Sequence, residues 1–154
     1  MLPRVIQFNG VSLDGRMDGF TGDMGLYYSL AAQWQAEAML SGSQTMLAAY
    51  ASVEEISEEE AAQPREMHPL HVPFLVVVDS RGQIRTWRRI RHEPYWQNAI
   101  MLCSRATPQE AVDYARRCGV DCIVEGQERV DLRAALEELS ARYGIKTVRV
   151  DSGG

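Results

Sequence analysis

The sequence predicts an α/β domain of three layers, a mostly parallel central sheet with helices on both faces. Three observations carry that prediction. Phe74-Leu75-Val76-Val77-Val78 is an unbroken, β-branched-rich apolar run, the signature of a strand covered on both sides. Apolar runs of strand length alternate with stretches of helical spacing along the chain, which is how parallel strands and their crossovers are written. Glycines close the helical stretches at Gly119 and Gly144.

The elements follow in order. Residues 4 to 11 read as a strand. Leu26, Tyr27, Leu30, Ala31 and Trp34 then recur at helical spacing, with Asp23 placed to cap that helix. Ala38 to Leu40 reads as a short buried strand that ends in the small-residue turn Ser41-Gly42-Ser43-Gln44-Thr45. Residues 51 to 71 are acidic and read as irregular, and residues 83 to 96 fit no pattern. Asn98 to Cys103 is a strand, and Thr107-Pro108-Gln109-Glu110 is a helix-start signal with a Thr cap, Pro in the first helical position and Glu three after the cap. Asp121 to Val124 is a strand. Leu132, Ala135, Leu136, Leu139 and Tyr143 form the stripe of the next helix, and Thr147 to Val150 begins a further strand.

With 154 residues, 45% of them hydrophobic and 24% charged, the chain can bury one core, so a single domain over 1–154 is expected. A net charge of -5 argues against a general polyanion binder, and no nucleic-acid partner is expected. No apolar run approaches the roughly 18 to 20 residues of a membrane span, and the N-terminus lacks the order of a signal peptide, so a cytoplasmic protein is expected. Cys103, Cys118 and Cys122 are odd in number and apolar in context, which suits packed thiols. Glu66, His68 and His71 are set aside as metal ligands because Pro64 and Pro69 break any helical register, so no metal is expected. Neither a G-x-G-x-x-G nor a P-loop pattern occurs.

Four tags stand at strand ends: Ser12-Leu13-Asp14-Gly15-Arg16, Ala38 to Thr45, Val78-Asp79-Ser80, and Val150-Asp151-Ser152-Gly153-Gly154. In that order they resemble the reductase domain of bacterial riboflavin biosynthesis, a branch of the dihydrofolate-reductase-like superfamily. The resemblance implies NADPH-dependent reduction of a ribosylamino-pyrimidine phosphate. A dihydrofolate-type reductase and a non-catalytic or nucleotide-binding relative are the alternatives. It also implies a small heterocyclic substrate as partner and a homodimer.

Residue by residue, the resemblance places Ser12, Leu13, Asp14, Gly15 and Arg16 against the nicotinamide ring and the substrate. Ser12, Arg16 and Asp151 are the implied substrate contacts, with Leu13 and Gly15 on the cofactor side. Gly42, Ser43 and Thr45 would meet the cofactor phosphates, Ser80 and Arg81 the adenosine 2'-phosphate, and Gly153 and Gly154 the pyrophosphate. Asp151 stands where the family usually has Glu, and Asp14 and Asp151 are the implied orienting or proton-handling carboxylates. Arg16 stands where the family commonly has Lys, and Gln33 where it usually has Arg. Ala48-Ala49-Tyr50 replaces an Asp-Asp-Pro followed by a phosphate-binding Arg. Family members continue past the Gly-Gly, so the domain is expected to lack their last strands.

One cluster has two readings from the residues alone. Arg81, Arg85, Arg88, Arg89, Arg91, Trp87 and Trp96 make either a basic aromatic patch that contacts a nucleotide or a solvated hairpin.

Overall fold

A computed structural model of the chain describes residues 1–68 and 71–151. Its elements are β1 (Arg4–Gln7), α1 (Met24–Ala32), β2 (Ala38–Gly42), α2 (Ser43–Ala49), α3 (Glu58–Ala61), β3 (Phe74–Val78), α4 (Trp87–His92), β4 (Ala99–Cys103), α5 (Gln109–Arg117), β5 (Asp121–Val124), α6 (Leu132–Tyr143) and β6 (Thr147–Val150). The strands form one sheet in the order β1-β6-β2-β3-β4-β5, and every neighbouring pair is parallel. The alternation along the sequence therefore translates into the expected parallel α/β sheet.

Strand parity sorts the core into two layers. Leu75, Val77, Ala99, Met101 and Cys103 face Met46 of α2, Trp87 and Ile90 of α4, and Val112 and Ala115 of α5. Ala38, Leu40, Val76, Ile100, Leu102, Ile123 and Val148 face Ala135 and Leu139 of α6. The sidedness has a topological cause. Successive steps from β2 to β5 move one way across the sheet, whereas β5 to β6 moves back, and right-handed crossovers put the returning helix on the opposite face. Val76, Val77, Ile100 and Met101 are wholly buried because their strands are covered on both sides.

Several expectations shift. The first strand stops at Gln7 instead of reaching residue 11. The second runs on to Gly42, and α2 starts at the next residue, so the small-residue turn is a strand end joined directly to a helix. Thr107 does not cap α5. Its hydroxyl accepts from the Ser104 amide and donates to the Ser80 carbonyl, leaving Pro108 in the cap position. The acidic segment contains α3, with Ser57 and Glu60 forming a reciprocal capping box.

The unassigned stretch from 83 to 96 holds α4, and neither reading of the Arg/Trp cluster survives intact. Trp87 and Trp96 are buried, and the Trp96 indole donates to the Ile90 carbonyl. Arg88 pairs with Glu58, and Arg91 donates to the Asn98 side chain. A helix of 6 residues is too short to stand by itself. Long-range partners hold both of its ends. The Glu55 carboxylate accepts from the amides of Arg88 and Arg89 at the start, and the Arg65 guanidinium donates to the carbonyls of Arg91, Glu93 and Gln97 at the finish. Each charge complements the helix dipole at its end.

Candidate functional site

In parallel α/β sheets, ligands gather outside the carboxyl ends of the strands, where the loops converge. Here that edge carries, in sheet order, the loop after Gln7, Asp151, Gly42 and Ser43, the turn from Asp79 to Gly82, and Ser104 to Thr107. Three of the four tags recognised in the sequence thus stand along one edge. The fourth is described only as far as Asp151, and Gly153 and Gly154 lie outside the described residues.

The first loop starts from a fixed point. The Phe8 amide continues the ladder to the Val150 carbonyl at 2.9 Å, and the Tyr27 hydroxyl donates to the Phe8 carbonyl at 2.9 Å. The two rings pack with centroids 4.9 Å apart, which clamps α1 to the end of β1. Beyond that clamp the loop closes on itself. Ser12 donates to one Asp14 oxygen and accepts from the Arg16 amide, and the other Asp14 oxygen pairs with Arg16 Nε at 3.0 Å. The Arg16 and Asp14 side chains remain 72% and 64% exposed, and Leu13 is fully exposed. Gly15 takes φ 81°, a left-handed conformation that a glycine adopts without steric cost.

Asp151 has the opposite environment. Its side chain is 16% exposed, and Oδ2 accepts from Arg149 Nη2 at 3.2 Å. Burial pushes its carboxyl above the ordinary aspartate range, while the Arg149 charge pulls it back down. Asp14 and Asp151 share no hydrogen bond or ion pair among the described residues. The structure therefore separates the two candidate carboxylates into an exposed one held locally and a largely shielded one held by an arginine.

The third and fourth places are joined. Gly42 has extended backbone, and a Cβ there would meet nothing within 4 Å, so the entrance to α2 is open. Gln44 Nε2 donates to Gln83 Oε1 at 3.1 Å, which ties the start of α2 to the loop that presents Ser80 and Arg81. Ser43 is half-buried, whereas Thr45 and Arg81 are exposed.

The turn carrying Ser80 is built on Asp79, a residue that the sequence places in the Val78-Asp79-Ser80 tag without a role. Asp79 is fully buried, and its carboxylate accepts from the amides of Gln83 at 3.0 Å and Ile84 at 3.1 Å. The signal was present in Asp79-Ser80-Arg81-Gly82, because an Asp three before a Gly is a turn builder. Gly82 sits at φ 61°, and an added Cβ would fall 2.4 Å from the Ala111 Cβ. Gly82→Ala is expected to lower stability by about 2–4 kcal/mol, through left-handed strain and displacement of α5, and a chemical-denaturation midpoint measures it.

Residues 3–154 match the family described as the RibD C-terminal domain. Among curated proteins none matches the chain. Solved structures share the fold. A pyrimidine reductase-like protein from Corynebacterium diphtheriae aligns over 98% of this chain and 66% of its own, with TM-score 0.65 and 16% identity. Acinetobacter baumannii RibD aligns over 99% of this chain and 40% of its own, with TM-score 0.62 and 24% identity. The riboflavin biosynthesis reductase Rib7 of Saccharomyces cerevisiae aligns over 99% and 63%, with TM-score 0.62 and 17% identity. The chain spans less than two thirds of the length of these three structures. With a family match over nearly its whole length and the same α/β fold in these structures, the chain belongs to the RibD C-terminal domain family.

Proposed function

We propose that this domain is an NADPH-dependent reductase of a pyrimidine-type substrate, a ribosylamino-pyrimidine phosphate of riboflavin biosynthesis. The observation that carries the reading is the family match over residues 3–154. The strand-end geometry agrees with it. An open α2 entrance at Gly42 and a rigid Ser80 turn, joined through Gln44 and Gln83, make a surface suited to an extended phosphorylated cofactor. When bound, NADPH would supply the hydride, and the protein supplies orientation and water exclusion.

In this proposal Gly42, Ser43 and Thr45 offer amides and hydroxyls to phosphate oxygens, and Ser80 and Arg81 receive the 2'-phosphate. Leu13 and Gly15 lie on the cofactor side of the first loop, and Ser12 and Arg16 on the substrate side. Asp151 orients the heterocycle, and Asp14 joins it once the first loop exchanges its internal bonds for substrate. Gly153 and Gly154 are proposed for the pyrophosphate. The protein acts as a cytoplasmic homodimer, a state that sedimentation tests. No helix among the described residues is long and apolar enough to cross a membrane.

A second reading, a nucleotide-binding protein without turnover, is favoured by one observation. Both Asp14 oxygens are already engaged by Ser12 and Arg16. Titration with NADPH, read by energy transfer from tryptophan to nicotinamide with NADH as comparison, is the first test. Saturable binding with at least tenfold preference for NADPH is the expected result. Equal affinity for NADH removes the 2'-phosphate role from Ser80 and Arg81, and no binding by the folded chain overturns the reductase reading. Binding without reduction of any pyrimidine or pterin substrate supports the second reading.

A further inference from the structure

Strand β6 reads Thr147-Val148-Arg149-Val150, and its third residue is an arginine in the interior of a parallel sheet. In register, Arg149 stands between Ile6 of β1 and Met39 of β2, on the face that α1 covers. Its side chain is 11% exposed. Nη2 lies 3.2 Å from Asp151 Oδ2 and 3.2 Å from Met39 Sδ. The Nε of Arg149 is buried and bonded to no protein atom.

These facts do not describe an arginine kept for the fold. A structural ion pair ties together segments that are distant in sequence. This one joins Arg149 on β6 to Asp151, two residues further on and just past the end of that strand, so the two are already neighbours along the chain. It adds nothing to the topology. An unbonded buried donor is destabilising, and a hydrocarbon of similar volume would fill the space beside Met39 and Ile6 without it. What the arginine does accomplish is local. It lies beneath the Asp151 carboxylate, whose strand ends at the candidate site.

We propose that Arg149 is a positioning residue for Asp151, its guanidinium aiming the carboxylate at the strand-end site in one orientation and keeping it ionised there. This rests on the reading of Asp151 as the substrate-facing carboxylate. A guanidinium suits the task because it stays protonated throughout the working range and its fork restricts the bonded geometry, which a lysine ammonium does not. The surroundings oppose ionisation, so a fixed positive charge has an effect to produce. Burial raises the Asp151 carboxyl and Arg149 lowers it. From α1 the titratable neighbour is Tyr27, itself pushed up to about 12 by burial and by the Asp151 charge, with Tyr28 packed edge-on against it. Tyr27 is therefore neutral when Asp151 titrates. From β2 the neighbour is the uncharged Met39.

The test is the carboxyl titration of Asp151 by carbon-13 NMR in wild type, Arg149→Met and Arg149→Lys, with the resonance assigned by its loss in Asp151→Asn. The midpoint is expected to rise by at least about one pH unit in Arg149→Met, a tenfold change in proton affinity, with Arg149→Lys falling between. A second readout follows from linkage. An acid whose folded pKa lies above its unfolded one contributes stability that is complete below the unfolded pKa and lost as pH rises through the folded one. The Tm deficit of Arg149→Met is therefore expected to widen from about pH 4 to pH 7. If Arg149→Met does not fold, Arg149→Gln replaces it in both measurements.

An Asp151 midpoint that is unchanged or lower without the arginine overturns the proposal, as does a Tm deficit that is constant with pH. Neither measurement uses cofactor or substrate. Absence of NADPH binding in wild type would remove the reductase reading while leaving these results interpretable.

Discussion

Glu55→Ala is expected to lower stability by about 3–5 kcal/mol, because one carboxylate accepts from four donors. Oε1 accepts from the amides of Ile56 and Arg89, and Oε2 from the Arg88 amide and the Tyr114 hydroxyl. Two of those amides open α4, so alanine removes the cap of a 6-residue helix together with the charge that its dipole favours. The damage extends to α5. Tyr114, on that helix, has one hydroxyl hydrogen shared between Glu55 and the Arg85 carbonyl, so losing Glu55 removes one of the two acceptors that join α5 to the segments before α4. Trp87 and Ile90, which α4 inserts into the core, would lose their fixed positions. Urea denaturation followed by tryptophan fluorescence measures the loss. Glu55→Gln, which retains two acceptor pairs on one oxygen and no charge, is expected to recover part of it, and a cost under about 1 kcal/mol for alanine would show that α4 is held by packing alone.

Asp151→Asn is expected to lower turnover with NADPH about 100-fold or more, with little change in cofactor affinity, the pattern of a group that acts on the reacting substrate. The swap preserves shape and one carbonyl acceptor but removes the charge opposite Arg149. Part of any loss will be structural, since a buried arginine left without its carboxylate is destabilising. Thermal denaturation separates the two effects, because an intact fold with lost turnover assigns the defect to chemistry. Asp14→Asn makes the informative companion. Asp14 is exposed and bonded only within its own loop, so its replacement is expected to leave stability within about 0.5 kcal/mol of wild type while lowering turnover. Turnover unaffected by both substitutions would remove the carboxylates from the mechanism. Equal loss of turnover and NADPH affinity would move them to the cofactor side.

Local pattern determined much of this protein. The run Phe74–Val78 is legible as a central strand because both of its faces are apolar, and no neighbour is needed to see that. Asp23 announces the start of α1, and Gly144 the end of α6 in a left-handed cap, because capping uses atoms within a few residues. The strand-end tags were legible for the same reason. Each is a short stretch whose residue types suit a loop, and their order carried the family resemblance that the match over residues 3–154 bears out.

Tertiary structure decided what depends on groups distant in sequence. Helix α4 was invisible because its stability resides in Glu55 and Arg65, which lie 33 and 26 residues from the backbone groups they bond. The same packing turned an arginine and tryptophan cluster into core with a charged rim, since nothing in Trp87 or Trp96 reveals which way each ring faces. The contrast between Asp14 and Asp151 is the clearest case. Both are aspartates in loop-like strings after a strand, yet one is exposed and the other is mostly shielded beside Arg149. Sheet order produces that difference. β6, last in sequence, is inserted between β1 and β2, so its end lies inside the sheet while the loop after the edge strand β1 projects into solvent. Residue type determined that both could carry charge, but only the register of the sheet decided how much water each one keeps.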